Sequence, residues 1–323
     1  MQFKRWRLVA TSPVVNAGLG LALLFTAVGC SKKAEAPEEA PKTPEIAAGV
    51  ELPAVWSTRP LEGKVASIAL SGGMGGLLAV AYERGGLQLI NLEGEIVGEP
   101  ANFRLRSLGG GHNVTINGSS VTIFPGITRE GELKAYIYGE GLLAPAQVDM
   151  PVQDTHSIAG VCTGEMKTGG LMRLAYWTTT NDRVLQTGII NEEDGEFTWD
   201  SGESTFTDFP IKSCAYTSDT LVASPRATSA ASLNRGDFDA LLSIEEGSGL
   251  RVSTDLGMTS TDIDIRDGIT VVAPDQPDAL AAKGIMMAGG YPGGVIVLAG
   301  ETEPGKYQAV FVDPSQLTLA GSR

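Results

Sequence analysis

One pattern recurs along the chain and leaves few folds open to it. "GGLQLINLEGE" (85–95) is a strand of alternating character that ends in an acidic turn. "GELKAYIYGEG" (131–141), "RVLQTGIINEEDGE" (183–196), "DFDALLSIEEGSG" (237–249) and "KYQAVFVDPSQ" (306–316) repeat it. A more apolar run precedes each copy: "GLLAVAYE" (76–83), "SVTIFPGI" (120–127), "LMRLAYWTT" (171–179), "TLVASPR" (220–226) and "GVIVLAG" (294–300). Before most of these lies a further short strand: "VASIALS" (65–71), "HNVTING" (112–118), "SIAGVCTG" (157–164) or "IKSCAYT" (211–217). In the last copy this place is given to "TDIDIRDGITVVAP" (261–274), with "KGIMMAGG" (283–290) read into its second strand. Helical periodicity is nearly absent, so the class is all-β. A three-strand unit returning every ~45–70 residues is the interval of propeller blades. Strands covered on both faces by neighbouring blades read as unbroken apolar runs. The expectation is a β-propeller of antiparallel strands, with about five to six blades. A β-sandwich built of similar hairpins is the competing architecture.

The repeats begin only near residue 55. Before them, "MQFKRWR" is a basic stretch, followed by the uncharged and mostly apolar "LVATSPVVNAGLGLALLFTAVG" and then Cys30. That order marks residues 1–29 as a secretory signal. A Cys directly after a small residue at the end of the apolar run resembles the lipobox of bacterial lipoproteins. The resemblance implies lipidation of Cys30, with Ala27 standing where that family usually has Leu. Ser31 after the Cys implies outer-membrane sorting there, on the periplasmic or surface side. An uncleaved membrane helix is the other reading of the segment. Residues 30–54, rich in Ala, Pro and Glu, form a linker, and the propeller occupies 55–323. Cys162 and Cys214 would then lie in an oxidising compartment, where they either pair or remain two buried thiols.

The chain carries a formal net charge of −14, 2 His and 3 Cys in 323 residues. An acidic surface argues against nucleic acid as a partner. Two His make a His-rich zinc centre hard to build, and no C-x-x-C pair occurs. "SLGGGHNV" (107–114) lacks the ending of a phosphate-binding P-loop and reads as a connecting turn. "NEEDGEFTWD" (191–200) lacks the alternating acid spacing of an EF-hand and reads as a solvated hairpin. Tyr176 and Trp177 read as blade core.

Taken in order, "VWSTRPLEGKVASIAL", "RGGLQLINLEGEI", "HNVTINGSSVTI", "IKSCAYTSDTLVAS", "DIDIRDGITVVAP" and "GVIVLAGETEPGKYQAVFVD" resemble successive segments of the β-propeller phytase family. That family is six-bladed and removes phosphate from phytate, using calcium ions held by carboxylates in the channel. The resemblance implies calcium ligands at Asp262 and Asp264, in the place of an Asp-Ile-Glu strand, and a substrate contact at Asn113. Elsewhere the chain departs from the pattern. Lys64 and Val65 replace an Asp pair, Thr115 and Asn117 replace an Asp and an Arg, and Lys212 replaces a Glu. Arg226 lies in "SPRAT" where an acidic run is expected. Calcium takes about six to eight oxygen ligands, and one pair of carboxylates supplies a minority of them. The functional expectation is therefore a phytase-like propeller lipoprotein of the cell envelope. Its metal site is largely degenerate and its role is binding or scaffolding. Membrane attachment runs through the lipid, and the partner is an anionic phosphate ligand or an envelope protein. The alternative is a divergent calcium-dependent phosphoesterase acting on phytate or other phosphomonoesters.

Overall fold

"LLAVAY" at 77–82 is buried at every position, which a strand achieves only when both faces of its sheet are covered. The computed structural model shows what covers them. It describes residues 49–318, apart from 74, 153–155, 167, 219, 237–238 and 285–289. The first strand, β1 (Glu51–Ser57), is set aside until the ring has been traced. Blade one is then β2 (Val65–Leu70), β3 (Leu77–Tyr82), β4 (Leu87–Asn91) and β5 (Ile96–Ala101), paired in that order. Blade two holds β6 (Leu105–Leu108), β7 (His112–Ile116), β8 (Ser119–Thr128), β9 (Leu133–Gly139) and β10 (Ala146–Asp149). Its long β8 pairs with β6 at one end and β7 at the other.

Blade three comprises β11 (Ile158–Gly164), β12 (Met172–Thr178), β13 (Val184–Glu193) and β14 (Glu196–Ser201), with the short β15 (Thr205–Phe206) added to β13. Blade four is a two-stranded hairpin, β16 (Ser213–Tyr216) and β17 (Leu221–Ser224). Blade five is β18 (Ala227–Asn234), β19 (Asp239–Glu245), β20 (Leu250–Ser253) and β21 (Thr261–Arg266). Blade six is β22 (Ala279–Lys283), β23 (Val295–Glu303) and β24 (Lys306–Val312), completed by β1.

The first strands of the blades, β2, β6, β11, β16, β18 and β22, pack in sequence, and β22 returns against β2. The chain is a β-propeller, and its ring closes with six inner strands. β1 fastens the ring at its rim. It runs antiparallel to β24 and parallel to β21, so the outer edges of blades five and six merge. Glu51–Ala54, expected in the linker, are therefore part of the fold: Leu52 is fully buried and Ala54 nearly so.

The apolar clusters sit between blades. Leu78, Val80 and Ile90 of blade one pack with Val295, Val297 and Phe311 of blade six. Ile123 and Ile127 of blade two pack with Leu174 and Ile190 of blade three. Each fully buried side chain of this kind contributes roughly 1.5–3 kcal/mol. Gly160 of β11 has room for no side chain, because a Cβ there would run into the Trp177 ring.

Three expectations about the repeats are corrected. "HNVTING" is not the inner strand of blade two; that place belongs to β6, and β7 augments the far end of β8. "TDIDIRDG" opens no blade; it forms β21, the outermost strand of blade five. "IKSCAYT" and "DFDALLSIEE" belong to different blades, because "ATSAASLN" forms the inner strand β18 between them. Tyr176 and Trp177 are blade core, and 191–200 contains the β13–β14 hairpin turn. Cys30 and the apolar run before it lie outside the described residues. Among the described residues no helix is long and apolar enough to cross a membrane.

Candidate functional site

The inner strands that close the ring are poor in large side chains. "ALAAK", "ATSAASLN" and "IAGVCTG" place Ala, Ser, Gly, Thr and Cys around the axis. Small residues leave space, and all six inner strands or the turns leaving them line one cavity of about 530 Å³. The joints between blades are stitched at its wall. The Ser67 hydroxyl accepts from Leu108 N at 3.0 Å, and Thr163 Oγ1 donates to Gly110 O at 2.8 Å. Ser229 Oγ donates to Leu280 O at 3.3 Å, and the Asn234 amide donates to Ser218 Oγ. Cys162 of β11 and Cys214 of β16 are joined by a disulfide, with Cα atoms 5.8 Å apart. It ties the two-stranded fourth blade to its neighbour.

The charged groups of the cavity gather where the inner strands end. Lys283 closes β22, and its Nζ lies 2.9 Å from Glu165 Oε1, just past the end of β11. The Lys283 side chain is 16% exposed and that of Glu165 72%. The Lys283 charge holds the Glu165 carboxyl below the usual range; its hydrogen bond and the Arg173 charge add to this, and burial opposes it. Arg173 reaches in from β12. Its Nε donates to Glu165 O at 3.1 Å, and one terminal nitrogen donates to Thr217 O at 3.3 Å and Ser218 O at 3.0 Å. Its guanidinium lies 4.7 Å from the centre of the Tyr216 ring. Arg173 is thereby fixed as a brace between blades three and four.

His112, the first residue of β7, also borders the cavity and is 7% exposed. Burial lowers its pKa to about 3, with the nearby Lys283 charge acting in the same direction, so the ring is neutral. Its Nε2 is buried and has no hydrogen-bond partner among the described residues. A buried polar atom without a partner is uncommon and calls for a physical reason. Here the residue borders the cavity while Nε2 itself is shut off from it.

The residues singled out in the sequence lie elsewhere. Asp262 and Asp264 share the solvent face of β21, as period-two spacing requires, while Ile263 is buried behind them. β21 is at the rim, so the pair does not reach the channel. Asp262 Oδ1 accepts from Arg251 Nε at 3.0 Å. Asp264 borders a separate rim cleft of about 290 Å³ with Asp267 and Asp275, but Asp267 Oδ1 accepts from Ala273 N at 2.9 Å. Among the described residues no three His, Cys, Asp or Glu side chains converge as a metal-holding group. The donor set therefore does not fit the calcium cluster that the resemblance implies. Asn113 follows His112 on β7 and is exposed, outside the lining of the cavity. Its Nδ2 donates to Gly72 O and its Oδ1 accepts from Thr122 Oγ1 at 2.7 Å, so its amide joins blades one and two. Lys64 is paired with Glu83 at 2.9 Å.

No family model and no curated protein matches the chain. Among solved structures it is similar to AofleA from Arthrobotrys oligospora, with 13% identity over 85% of this chain and 88% of that one, at a TM-score of 0.48. It is likewise similar to the Aleuria aurantia lectin, a fungal lectin described as a six-bladed β-propeller, at 12% identity over 82% and 99% of the two chains and a TM-score of 0.48. A complex of BBS1N with ARL6DN matches at 11% identity over 80% and 81%, with a TM-score of 0.42. Six blades and a closed ring follow from this chain's own strand pairing and inner-strand packing.

Lys283, Glu165, Arg173 and His112 were not singled out as site residues in the sequence. Lys283 alone carried a local signal, a cation closing a run of small residues.

Proposed function

We propose that the chain is a lipid-anchored β-propeller of the cell envelope that binds a small polar ligand in its central channel. One observation carries this reading: six inner strands or the turns leaving them converge on one cavity of about 530 Å³, and Lys283, Glu165 and Arg173 gather at one end of it. A site built this way holds a ligand by a few directed polar contacts within a small-residue wall. The placement in the envelope draws on the segment ending at Cys30 and on the Cys162–Cys214 disulfide, which suits an oxidising compartment.

Catalysis of phosphate release from phytate needs clustered carboxylates that Asp262 and Asp264 do not provide from the rim, so a binding role is favoured over a calcium-dependent phosphoesterase.

Thermal-shift measurements on the full-length chain in detergent, across a panel of sugars, sugar acids, amino acids and phosphate esters, test the channel. At least one compound should raise the melting temperature in the wild type and fail to do so in Ser232→Trp, which fills the cavity. Shifts that all survive the filling overturn the channel reading. Mass spectrometry of the membrane fraction tests the anchor: a diacylated N-terminal Cys30 is expected, and an unmodified N-terminus starting upstream overturns it.

A further inference from the structure

We infer that the open edge of blade four is a docking site for one extended segment of a partner protein, which adds to β17 as a third strand and carries a carboxylate at one end. The site is separate from the channel, whose lining includes residues of β16 and none of β17. The other blades have at least four strands, whereas among the described residues blade four ends at β17. Thr217 N donates to Thr220 O, and Lys212 N donates to Ser224 O, both at 2.9 Å. Thr220 and Ser224 therefore bond inward, and with a period of two so does Val222. The N–H and C=O groups of Leu221 and Ala223 turn outward, and no strand among the described residues receives them.

This edge lies in a slot. β17 is half-buried at every position, whereas the outer strands β5 and β10 are mostly exposed. Two absent strands set it about 10 Å inside the rim of the neighbouring blades, at about 4.8 Å per strand. Leu221 and Ala223 pack toward Trp177 and Leu185 of blade three. Val222 lies on the other side, beside Gly257 in the β20–β21 turn of blade five. The residues flanking that glycine, Leu256 and Met258, are 48% and 81% exposed. They offer apolar contact to alternate side chains of an added strand.

The depth of the slot selects its occupant. Free backbone groups on its floor call for another backbone. A second propeller does not reach them with its own β17, which is equally recessed, but a single extended segment does. Charge sets one end of that segment. Lys212 and Arg226 flank the same end of the hairpin, both exposed and neither in an ion pair with a described residue. In a chain of net charge −14, two unpaired cations at one point favour a carboxylate on the partner.

Fluorescence anisotropy tests the site, using the full-length chain in detergent and a labelled synthetic peptide of alternating Thr and Val with an Asp at each end. Saturable binding with a Kd below about 1 mM is expected. The same peptide methylated at every backbone nitrogen should not bind. Ala223→Pro removes an outward N–H and keeps the pairing with β16, so its urea midpoint should hold while peptide affinity falls at least about tenfold. Lys212→Glu combined with Arg226→Glu should weaken binding several-fold, and should not weaken a peptide with Lys in place of each Asp. No saturable binding, equal binding of the methylated peptide, or an affinity unmoved by Ala223→Pro overturns the proposal. If the wild type sediments as a dimer and Ala223→Pro as a monomer, a second copy fills the slot and the partner assignment falls.

Discussion

Lys283 and Glu165 meet across the mouth of the channel, Nζ to Oε1 at 2.9 Å, although they are 118 residues apart and belong to blades six and three. In a six-bladed ring these blades face one another, so the pair bars the opening. One partner is well exposed, so the pair adds little to global stability. Glu165→Gln should change the free energy of urea unfolding by less than about 1 kcal/mol. The sign of its pH dependence follows from the depressed Glu165 pKa. The contribution is present above the ordinary Glu value and is lost as pH falls through the lower native value.

His112 predicts a second acid-side effect. Its pKa is about 3 in the fold against 6.5 ordinarily, so below pH 6.5 the unfolded chain takes up a proton that the native ring refuses. Stability conferred by the neutral ring is complete above 6.5 and declines as pH drops toward 3. The slope from this group approaches about 1.4 kcal/mol per pH unit. Denaturant midpoints measured across that range should show it, and His112→Asn should flatten the curve by one proton.

Among the described residues the fourth blade has two strands where the others have at least four, and the Cys162–Cys214 bridge joins its inner strand to β11. The cysteines are 52 residues apart. Closing a loop of that length stabilises by about 4 kcal/mol on the chain-entropy model. The double variant Cys162→Ser, Cys214→Ser should unfold at correspondingly lower urea, and a reductant should bring the wild type to the same midpoint.

Leu52 tests the closure of the ring. It is fully buried on β1, the strand shared by blades five and six. Leu52→Ala should cost about 2–5 kcal/mol in chemical denaturation. A loss within the range of a surface substitution would mean that the first strand is not integral to the propeller.

Much of the fold was legible because its large side chains are periodic. β3, β4, β12 and β13 read directly from "LLAVAY", "LQLIN" and the "LMRLAYWTT" repeat, since their faces pack against other blades. β18 and β22 did not. Strands that line a channel carry Ala, Ser and Thr, and "ATSAASLN" has no hydrophobic signal to find. Missing it merged blades four and five and pushed "TDIDIRDG" into the wrong place. The alternation of Asp262 and Asp264 gave the correct face of β21. Alternation cannot tell a channel strand from a rim strand, and that rank within the blade decides whether a carboxylate is near the axis. The site itself was hidden by distance along the chain, since Lys283, Glu165 and His112 come from three separate blades and meet only when the ring closes.

The most direct measurement follows from there being 2 His in the whole chain, His112 and His156. Ring-nitrogen NMR of the 15N-labelled protein gives one signal set for each, assignable with His156→Gln. On acidification the His112 ring nitrogens should keep their neutral shifts well below pH 6.5 and change only toward about pH 3. A His112 signal that takes on the charged shift near pH 6.5 would contradict the account, because the ring would then not be sealed in the wall of a closed propeller.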